Sequence, residues 1–261
     1  MPKIQFEATT ACNARCTFCP RYDMTRNMGE MSDELFHKII KDGKEIKYSF
    51  FVPFLNGEPF VFSRIWEWLD YMQEQNVRVH LYTNAELIDV DRILKYKNIR
   101  LICCSVNAAT KETHKKIMRG PDFNRVTKNV KELIEKANLP AGVWASMVEV
   151  EANTHEKEMF KKQWGKNAIF GEFKNWGGAR HDKLERTGKR TVCYSSTQTM
   201  SILWDGRAVV CCLDYDGKLV LGDANKQTLT EIWHNSKWLR DKHRNLDYSM
   251  EPCRDCNQNI E

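Results

Sequence analysis

Short apolar runs alternate with longer amphipathic stretches over the first two thirds of this 261-residue chain, and no other feature restricts the fold as strongly. Runs of this length, rich in β-branched and aromatic side chains, are typical of buried strands. Six follow one another, at residues 4–8, 49–55, 77–82, 99–105, 142–150 and 169–173. The segments between them are long enough for helices, so the pattern predicts repeated strand–helix units.

Capping residues and one-sided apolar patterns predict helices between the strands. Ser32 is a plausible N-cap, because Asp33 and Glu34 follow it in the first turn and the apolar side chains after them share one face. Further helices are predicted from Ile65, over residues 124–137 and from Thr154. Successive strand–helix units imply parallel strands with right-handed crossovers, in a barrel or an open doubly wound sheet. Periodicity alone does not choose between these two.

Three cysteines, Cys12, Cys16 and Cys19, directly follow the first predicted strand, at the edge where α/β folds build their active sites. A [4Fe-4S] cluster takes four ligands, so three thiolates leave one iron open, and an open metal position is typical of a reactive centre. Zinc and disulfides are the alternatives. The nearest further zinc ligand, His37, lies in a predicted helix, and disulfides need an oxidising compartment, whereas no apolar leader follows Met1.

The spacing Cys-x3-Cys-x2-Cys, with Phe18 just before the last Cys, resembles the signature of the radical S-adenosylmethionine (SAM) superfamily. The segment Asn56-Gly57-Glu58-Pro59 resembles the family's Gly-Gly-Glu-Pro motif, with Asn in place of the first Gly. The resemblance implies an α/β fold with a partial (β/α)6 TIM-like barrel over residues 1–178. It also implies that SAM binds the open iron, that this segment binds its amino group, and that Phe18 packs beside the cluster.

The same resemblance extends to later strand ends. Asn84, Ser105 and Asn107 are similar to positions that contact the ribose and carboxylate of SAM. Arg119 is similar to an arginine that meets that carboxylate as a bidentate fork. For each of these residues, a capping or loop-forming role is the alternative.

Four further cysteines follow residue 178, where the strand–helix alternation stops. Their pattern resembles the first part of the SPASM/twitch domain, in which a glycine turn, here Gly206, precedes the second Cys and an Asp, here Asp214, follows it at Cys-x-x-Asp. That match favours Cys211 over Cys212. The resemblance implies a small twitch (SPASM-like) domain over residues 179–261 with one auxiliary [4Fe-4S] cluster, and a four-cysteine zinc ribbon is the alternative. The implied ligands are Cys193, Cys211, Cys253 and Cys256.

Cys103 and Cys104 adjoin within the fourth predicted strand, so one must face the barrel interior and the other the helices. Both are expected to be small core residues, although an interior thiol could donate a hydrogen atom to a substrate radical, as an epimerase requires. Other polar residues expected around the cavity, which the sequence does not rank, are Glu7, Arg21, Tyr22, Glu149, Asn175 and Arg180.

The resemblance implies reductive cleavage of SAM to a 5′-deoxyadenosyl radical that abstracts a hydrogen atom from the substrate, with a flavodoxin- or ferredoxin-type electron donor. A fully ligated auxiliary cluster can accept the surplus electron of a substrate radical, so a two-electron dehydrogenation is expected. The layout is similar to that of the family's 2-deoxy-scyllo-inosamine dehydrogenases, which implies a small-molecule substrate such as a sugar or cyclitol alcohol. A peptide- or protein-modifying enzyme (cross-linking, oxidation or epimerisation) is the second hypothesis, and a non-catalytic iron–sulfur electron carrier is the third.

The charge and the cysteine content of the chain indicate which classes of partner and which compartment to expect. The formal net charge is +5, and basic residues are interleaved with acidic ones, so no nucleic acid is expected. An apolar stretch of about 18 residues, as a membrane span requires, does not occur. Ten cysteines without a targeting segment point to the cytoplasm, where cysteines more often bind metal or catalyse than pair.

Overall fold

The computed structural model describes residues 3–185 and 187–260, whose strands form one nine-stranded sheet. The strands are β1 Lys3–Phe6, β2 Phe51–Val52, β3 Val79–Thr83, β4 Ile99–Ser105, β5 Val143–Glu149, β6 Ala168–Glu172, β7 Thr199–Ile202, β8 Arg207–Val209 and β9 Val220–Asp223. Their spatial order is β6-β5-β4-β3-β2-β1-β7-β8-β9. All pairs from β6 to β7 are parallel, and β8 and β9 are antiparallel to their neighbours.

The first six strands are the six apolar runs predicted from the sequence, and β4 has the predicted bounds. β2 is much shorter than the predicted run 49–55, since Pro53 has no N–H to donate to the ladder. The sheet ends at β6 on one side and at β9 on the other, so it is open. These features confirm the α/β class and a partial barrel.

Helices follow the strands as expected in the first part of the chain, and Ser32 caps the first of them, because its Oγ accepts the N–H of Leu35 at 3.2 Å. Thr154 opens a turn of 3-10 helix, and a regular helix follows it. The helices are α1 Asp33–Glu45, α2 Ile65–Glu74, α3 Val90–Ile93, α4 Lys111–Met118, α5 Phe123–Lys136, α6 Lys157–Trp164, α7 Tyr194–Gln198, α8 Leu229–Asn235 and α9 Lys237–Arg244. Single 3-10 turns cover Pro20–Asp23, Pro59–Val61, Thr154–Glu156 and Gly165–Asn167.

The core lies between the sheet and its helices. Phe36 in α1 stacks on Trp68 in α2 at 4.0 Å, and the ring of Phe6 in β1 lies 5.9 Å from Phe36. Burying each such side chain contributes about 1.5–3 kcal/mol. Because side chains alternate along a strand, Gln5 and Glu7 lie on the opposite, inner face of the sheet. The helix-covered face is therefore apolar, whereas the inner face carries polar groups.

Residues beyond 178 complete this sheet. β7 pairs with β1 over four residues, from Lys3–Thr199 to Phe6–Ile202. Asp42 in α1 accepts the first N–H of α8 at 3.2 Å, which attaches the C-terminal helices to the same body. Within the described residues, no helix has the length and apolarity that crossing a membrane demands.

Candidate functional site

Cys12, Cys16 and Cys19 lie in the loop after β1, and the buried Arg21 holds that loop in place. The Cys19 N–H donates to the Cys16 carbonyl at 3.1 Å, which turns the loop back on itself. The Arg21 guanidinium donates at 3.3–3.4 Å to the backbone carbonyls of Thr10, Cys12 and Ala14. Arg21 therefore stabilises the loop, with its donors engaged by backbone.

The connection between α4 and α5 supports the same loop through its backbone. The Arg15 N–H donates to the Met118 carbonyl at 2.9 Å. A Cβ at Gly120 would lie 2.2 Å from the Asn13 carbonyl oxygen, so only glycine permits this contact. The backbone of Met118 and Gly120 thus supports the cysteine loop.

Arg119 lies in the same connection, but its side chain does not line the cofactor cavity described below. The residue is exposed and has a left-handed backbone (φ 51°) at the end of α4. Its Nε donates to the Lys116 carbonyl at 3.2 Å. The structure therefore does not bring this guanidinium together with the other predicted SAM contacts.

The Asn56–Pro59 segment is pressed against the cysteine loop. The Glu58 N–H donates to the Ala11 carbonyl at 2.8 Å. A Cβ at Gly57 would lie 2.1 Å from the Thr9 carbonyl oxygen and 2.7 Å from that of Ala11. The glycine of this motif is therefore required because two backbones meet there, and Pro59 begins the buried turn that follows.

The Glu58 carboxylate joins two neighbouring strand ends. It is buried and accepts from the Thr83 hydroxyl at 2.6 Å, from the Asn84 N–H at 2.7 Å and from the Phe60 N–H at 3.2 Å. Burial raises the pKa of Glu58 to about 7, although these hydrogen bonds oppose the shift. A cation bound nearby would favour the charged form again. Glu58 therefore holds two strand ends together, and its carboxylate can also accept hydrogen bonds from a bound ammonium group.

A cavity of about 140 Å³ opens where these loops meet. All three cysteines line it, together with the predicted residues Phe18, Asn56, Gly57, Glu58, Asn84, Ser105 and Asn107. We call it the cofactor cavity. Further lining residues, which the sequence did not single out, are Ala14, Phe54, Leu55, Thr83, Met118, Val148 and Trp176.

Asn84 and Asn107 use their amides to fix the cavity wall. The Asn84 Nδ2 donates to the Asn13 Oδ1 at 2.7 Å, which ties the end of β3 to the cysteine loop. The Asn107 Oδ1 accepts the Val148 N–H at 2.8 Å, and its Nδ2 faces the Met118 Sδ at 3.1 Å. Both side chains thus hydrogen-bond neighbouring loops, which is the loop-forming role that the sequence analysis gave as the alternative. Both also line the cofactor cavity.

The thiols of the first set fit an iron–sulfur cluster. Burial raises the pKa of Cys12 to about 11, and burial together with the adjacent thiols raises the pKa of Cys16 further. Such thiols stay protonated at neutral pH unless a cationic centre binds them, and a coordinating thiol is deprotonated outright. Three converging soft donors at one cavity are the ligand type that iron–sulfur clusters use.

The second set lines a separate cavity, which we call the auxiliary cavity. Its cysteines are Cys193, Cys211, Cys253 and Cys256. Burial raises the pKa of Cys253 to about 12, with Cys193 and Cys256 adding to the effect. In the part of the chain that the structure describes, no three His, Cys, Asp or Glu side chains are grouped closely enough to hold a single metal ion.

Two charged side chains and a glycine turn stabilise the loops around the auxiliary cavity. Arg190 donates to the backbone carbonyls of Cys253 at 2.5 Å and of Cys256 at 2.6 Å. Asp214, which is buried, accepts the N–H groups of Lys218 at 2.8 Å and Leu219 at 2.9 Å. The glycine turn also forms as predicted, since Gly206 has φ 93°.

Cys212 does not line the auxiliary cavity, although it packs against the apolar group that contains Cys211 and Cys253 as well as against Leu55, Leu203 and Val209. We expect Cys211→Ala to remove the auxiliary cluster and to lower the iron content by about half, because one of two four-iron clusters is lost. The matched variant Cys212→Ala keeps both clusters. Iron and sulfide analysis with electron paramagnetic resonance (EPR) checks this, and equal losses in both variants would show that the ligand is misassigned.

Cys103 and Cys104 face opposite sides of β4, as strand alternation predicts. Cys104 belongs to the core beneath the helices. Cys103 is buried on the other face, where burial raises its pKa to about 11 and a hydrogen bond with Ser146 opposes the shift. Neither thiol lines the cofactor cavity.

Glu7, at the end of β1, forms a buried ion pair with Arg26. Arg26 Nη2 donates to Glu7 Oε1 at 2.6 Å, and the two side chains are 4% and 0% exposed. The Asn56 Nδ2 donates to the same oxygen at 3.0 Å, and Arg26 Nε donates to the Tyr215 carbonyl at 2.7 Å. This pair joins β1, the cofactor cavity and the C-terminal part of the chain.

We expect Arg26→Ala to lower the free energy of unfolding by about 3–5 kcal/mol, since it leaves Glu7 buried without its partner. The matched control is Arg244→Ala, which breaks an exposed pair with Asp241 (3.1 Å) and should cost about 0–1 kcal/mol. Urea unfolding of both variants under anaerobic conditions, followed by circular dichroism, measures the difference. Equal destabilisation would contradict a special role for the buried pair.

The other polar residues expected around the cavity have partners elsewhere. Tyr22 is exposed and lies beneath the Arg21 guanidinium at 4.1 Å. Glu149 pairs with Lys157, Asn175 donates to the Asp255 carbonyl, and Arg180 donates to the Cys19 carbonyl and pairs with Asp23.

Trp176 connects the two cysteine sites. It lines the cofactor cavity and also packs against the apolar group that includes Cys211 and Cys253. The only signal in the sequence is an aromatic residue just before Gly177 and Gly178, where the strand–helix alternation stops. The indole therefore contacts both the cofactor cavity and the surroundings of the auxiliary cavity.

Comparison with family models gives two matches. The model of the radical SAM superfamily matches residues 6–156, and a model of an iron–sulfur cluster-binding domain matches residues 193–257. Each match contains one of the two cysteine sets.

Two curated relatives differ in how much of the chain they match. The mycofactocin maturase MftC of Mycobacterium tuberculosis is 29% identical over 159 residues, which are 60% of this chain and 40% of MftC. The S-adenosyl-L-methionine-dependent 2-deoxy-scyllo-inosamine dehydrogenase of Niallia circulans is 19% identical over 269 residues, or 97% of this chain and 92% of the relative. The chain thus spans less than half of the length of MftC and most of the length of the dehydrogenase.

Solved structures show the same fold. BtrN in complex with AdoMet and 2-DOIA has a TM-score of 0.69 and 16% identity, and the match covers 99% of this chain and 93% of BtrN. Streptococcus suis SuiB bound to the precursor peptide SuiA has a TM-score of 0.76 and 15% identity, with 98% of this chain and 69% of SuiB covered.

Proposed function

This chain belongs to the radical SAM superfamily, and from that membership we propose that it carries out a two-electron oxidation of a small polar molecule, such as the alcohol of a sugar or cyclitol. SAM and [4Fe-4S] clusters are its cofactors. When reduced and bound, the first cluster and SAM supply a radical that removes hydrogen atoms from unactivated carbon. The protein's task is to hold substrate and cofactor in register and to exclude water.

In this proposal Cys12, Cys16 and Cys19 hold the SAM-binding cluster. Glu58 accepts from the amino group of SAM, because its buried carboxylate has lone pairs beyond the three that the protein uses. The carboxylate and ribose of SAM are bound by the polar side chains along the same wall. Those side chains are Asn84, Ser105 and Asn107, with Phe18 beside the cluster. Asn56 adjoins Glu58 at the amino group, and Gly57 and Pro59 shape the loop. Arg119 is left out because its side chain lies outside the cavity.

The main support for an oxidation is the set of four cysteines that line the auxiliary cavity. They line one space together, so a cluster there would have every iron bound by protein and could take up an electron without binding substrate. Trp176 packs against this site and lines the cofactor cavity. Loss of a hydrogen atom, an electron and a proton amounts to dehydrogenation. We propose residues 1–178 as the barrel domain and 179–261 as the twitch-type domain.

The relatives support an alcohol as substrate. The Niallia circulans enzyme, whose name gives a 2-deoxy-scyllo-inosamine dehydrogenase, matches along nearly the whole chain. A peptide-modifying enzyme is the second candidate, because MftC is more similar in sequence and SuiB was solved with a precursor peptide. This chain covers 40% of MftC and 69% of SuiB, so those proteins contain parts that it does not match.

The test is release of 5′-deoxyadenosine from SAM by the anaerobically reconstituted protein with dithionite or a reduced flavodoxin or ferredoxin. We expect release without substrate, and stimulation by a cyclitol alcohol together with formation of a ketone. No release from protein with both clusters intact would overturn the proposal. Stimulation by peptides alone would favour the second candidate.

A further inference from the structure

Ser196 and His243 form a buried hydrogen bond beside the auxiliary cavity, and the proposed function gives neither residue a role. Ser196 lies in α7 and lines that cavity, whereas His243 lies in α9. The Ser196 Oγ is 2.6 Å from the His243 Nδ1, and the two residues are 4% and 0% exposed. Ser196 therefore contacts an imidazole as well as the space that the four cysteines line.

The second ring nitrogen of His243 decides which atom of this pair donates. His243 Nε2 is buried and has no hydrogen-bond partner among the residues that the structure describes. A hydrogen on Nε2 would be a buried donor without an acceptor, which is rarer in folded proteins than an acceptor without a donor. The hydrogen therefore belongs on Nδ1, which donates to Ser196 Oγ. Tyr248 stacks on the imidazole, with 4.7 Å between the ring centres, and keeps the ring in this orientation.

The Ser196 hydroxyl keeps a hydrogen of its own to donate, because its oxygen is the acceptor in the bond from His243. Within the described residues, the acceptor for that hydrogen is the Cys193 carbonyl at 3.3 Å, which is longer than the roughly 2.5–3.0 Å of a strong O–H···O bond. The same carbonyl accepts from the Thr197 hydroxyl at 2.7 Å and from the Thr197 N–H at 3.2 Å, which occupy both of its lone pairs. The Ser196 hydrogen is therefore available to a ligand in the auxiliary cavity.

Besides the cysteines, the other polar side chains in the wall of the auxiliary cavity are Arg190, Tyr248 and Gln258. Arg190 is occupied by the backbone carbonyls described above. The Tyr248 hydroxyl donates to one backbone carbonyl at 2.8 Å and accepts one backbone N–H at 2.8 Å. Gln258 is half-buried, so water can serve its amide. Ser196 is thus a buried wall residue whose donor lacks a good acceptor in the described part of the chain.

A hydroxyl hydrogen at this position suits an iron–sulfur cluster, because the sulfur atoms of a cluster accept hydrogen bonds and such bonds help to set its reduction potential. Reduction adds one electron and therefore one negative charge to the cluster. A donated hydrogen bond stabilises the more negative state more, since bonds to charged acceptors are stronger. A serine that donates to the cluster therefore raises its reduction potential.

We propose that Ser196 donates a hydrogen bond to the auxiliary cluster and raises its reduction potential, with His243 as the positioning residue that orients the hydroxyl. This rests on the auxiliary cluster of the proposed function and makes its role more specific, because a higher potential favours uptake of the substrate radical's electron. Ser196 keeps its hydrogen throughout. The step therefore transfers one electron from the substrate radical to the cluster, and no bond to Ser196 breaks.

The test is a potentiometric titration of the holoenzyme followed by EPR. It is repeated in the full chain with Cys12, Cys16 and Cys19 replaced by alanine, so that the auxiliary signal is observed alone. Ser196→Ala should lower the reduced-to-oxidised ratio at a fixed potential by about tenfold, which is a shift of about 59 mV to more negative potential for one electron. In pulsed EPR of the reduced cluster, a coupling to a hydrogen that exchanges in D₂O should be present in the parent and absent from Ser196→Ala.

Ser236→Ala is the matched control. Ser236 is also 4% exposed, donates to the Ile232 carbonyl at 2.7 Å and accepts from the buried Arg240 at 2.9 Å, but it does not line the auxiliary cavity. Its loss should cost stability and leave the potential unchanged. An equal shift of the potential in both variants would show that the potential follows loss of packing, and would overturn the assignment of Ser196.

His243→Phe tests the positioning role, because it keeps a ring against Tyr248 and removes the Nδ1 donor. It should shift the potential in the same direction as Ser196→Ala but by less. In the double variant it should add nothing, since His243 acts through Ser196. A further shift in the double variant would overturn the role of His243, and an unchanged potential in Ser196→Ala would overturn the proposal as a whole.

These outcomes are distinguishable from failure of the proposed function, because the potentials are measured without substrate. The expected shift without any ketone formation would overturn the oxidation alone and support the role of Ser196. Intact oxidation without the shift would overturn the role of Ser196 alone. Zinc in the auxiliary cavity would overturn both the proposed cluster and the hydrogen bond to it.

Discussion

Simultaneous replacement of Cys12, Cys16 and Cys19 by alanine should abolish 5′-deoxyadenosine formation and leave one [4Fe-4S] centre in the protein. The three thiols line the cofactor cavity, and without them no iron is held where SAM binds. The auxiliary cysteines lie in their own cavity, so their cluster should persist. Iron content should therefore fall by about half, with one EPR-active centre remaining after reduction.

The control for this triple variant is Cys104→Ala, which removes a fully buried thiol from the helix-covered core and leaves both cavities untouched. It should retain iron, EPR signals and cleavage of SAM. Zinc in place of the remaining centre would refute the auxiliary iron–sulfur assignment. Residual SAM cleavage in the triple variant would refute the assignment of the first set.

Gly57→Ala should reduce the rate of SAM cleavage by about a hundredfold, the loss that follows when reacting groups are displaced by about 1 Å. The added methyl would stand 2.1 Å from the Thr9 carbonyl oxygen and 2.7 Å from that of Ala11. Both are backbone atoms that cannot rotate away, so the loop must shift. That shift breaks the Glu58 N–H bond to Ala11 and moves the carboxylate from Thr83 and Asn84. Single-turnover kinetics with saturating dithionite measures the effect.

Gly171→Ala is the matched control, since the nearest atom to its new Cβ is a Val148 methyl at 4.0 Å. Gly171 lies in β6, close to the wall of the cofactor cavity that Val148 forms. The same substitution should therefore be tolerated there. If both variants lose activity equally, the close approach of the two loops is not the reason why residue 57 must be glycine.

The sequence predicted the features that depend on local pattern. The six apolar runs, the Ser32 cap and the Gly206 turn all form as expected, because strand composition, capping and glycine turns are encoded within a few residues. The strands beyond residue 178 were missed because they are short and pair far away in sequence. Their one signal is the alternation of Thr199, Met200, Ser201 and Ile202, which is typical of a half-buried strand.

The site was predicted as a set of residues but not as a set of contacts. Motif spacing brings Glu58, Asn84 and Asn107 to the cavity, yet their hydrogen bonds to neighbouring loops appear only once the chain is folded. Arg119 shows the limit most clearly, because the left-handed backbone at the end of α4 directs its Nε to Lys116. The Glu7–Arg26 pair joins residues from separate segments and depends on tertiary packing alone.

The pairing of β1 with β7 also has a consequence for biosynthesis. While the chain emerges from the ribosome, β1 can meet β2 early, but its other edge has no neighbour until residues 199–202 appear. An unpaired apolar edge invites intermolecular pairing, so the nascent chain needs protection for most of translation. The cysteine loop extends from the end of this same strand. Separately expressed halves should therefore bind iron and sulfide poorly, because the half that contains the loop lacks β7.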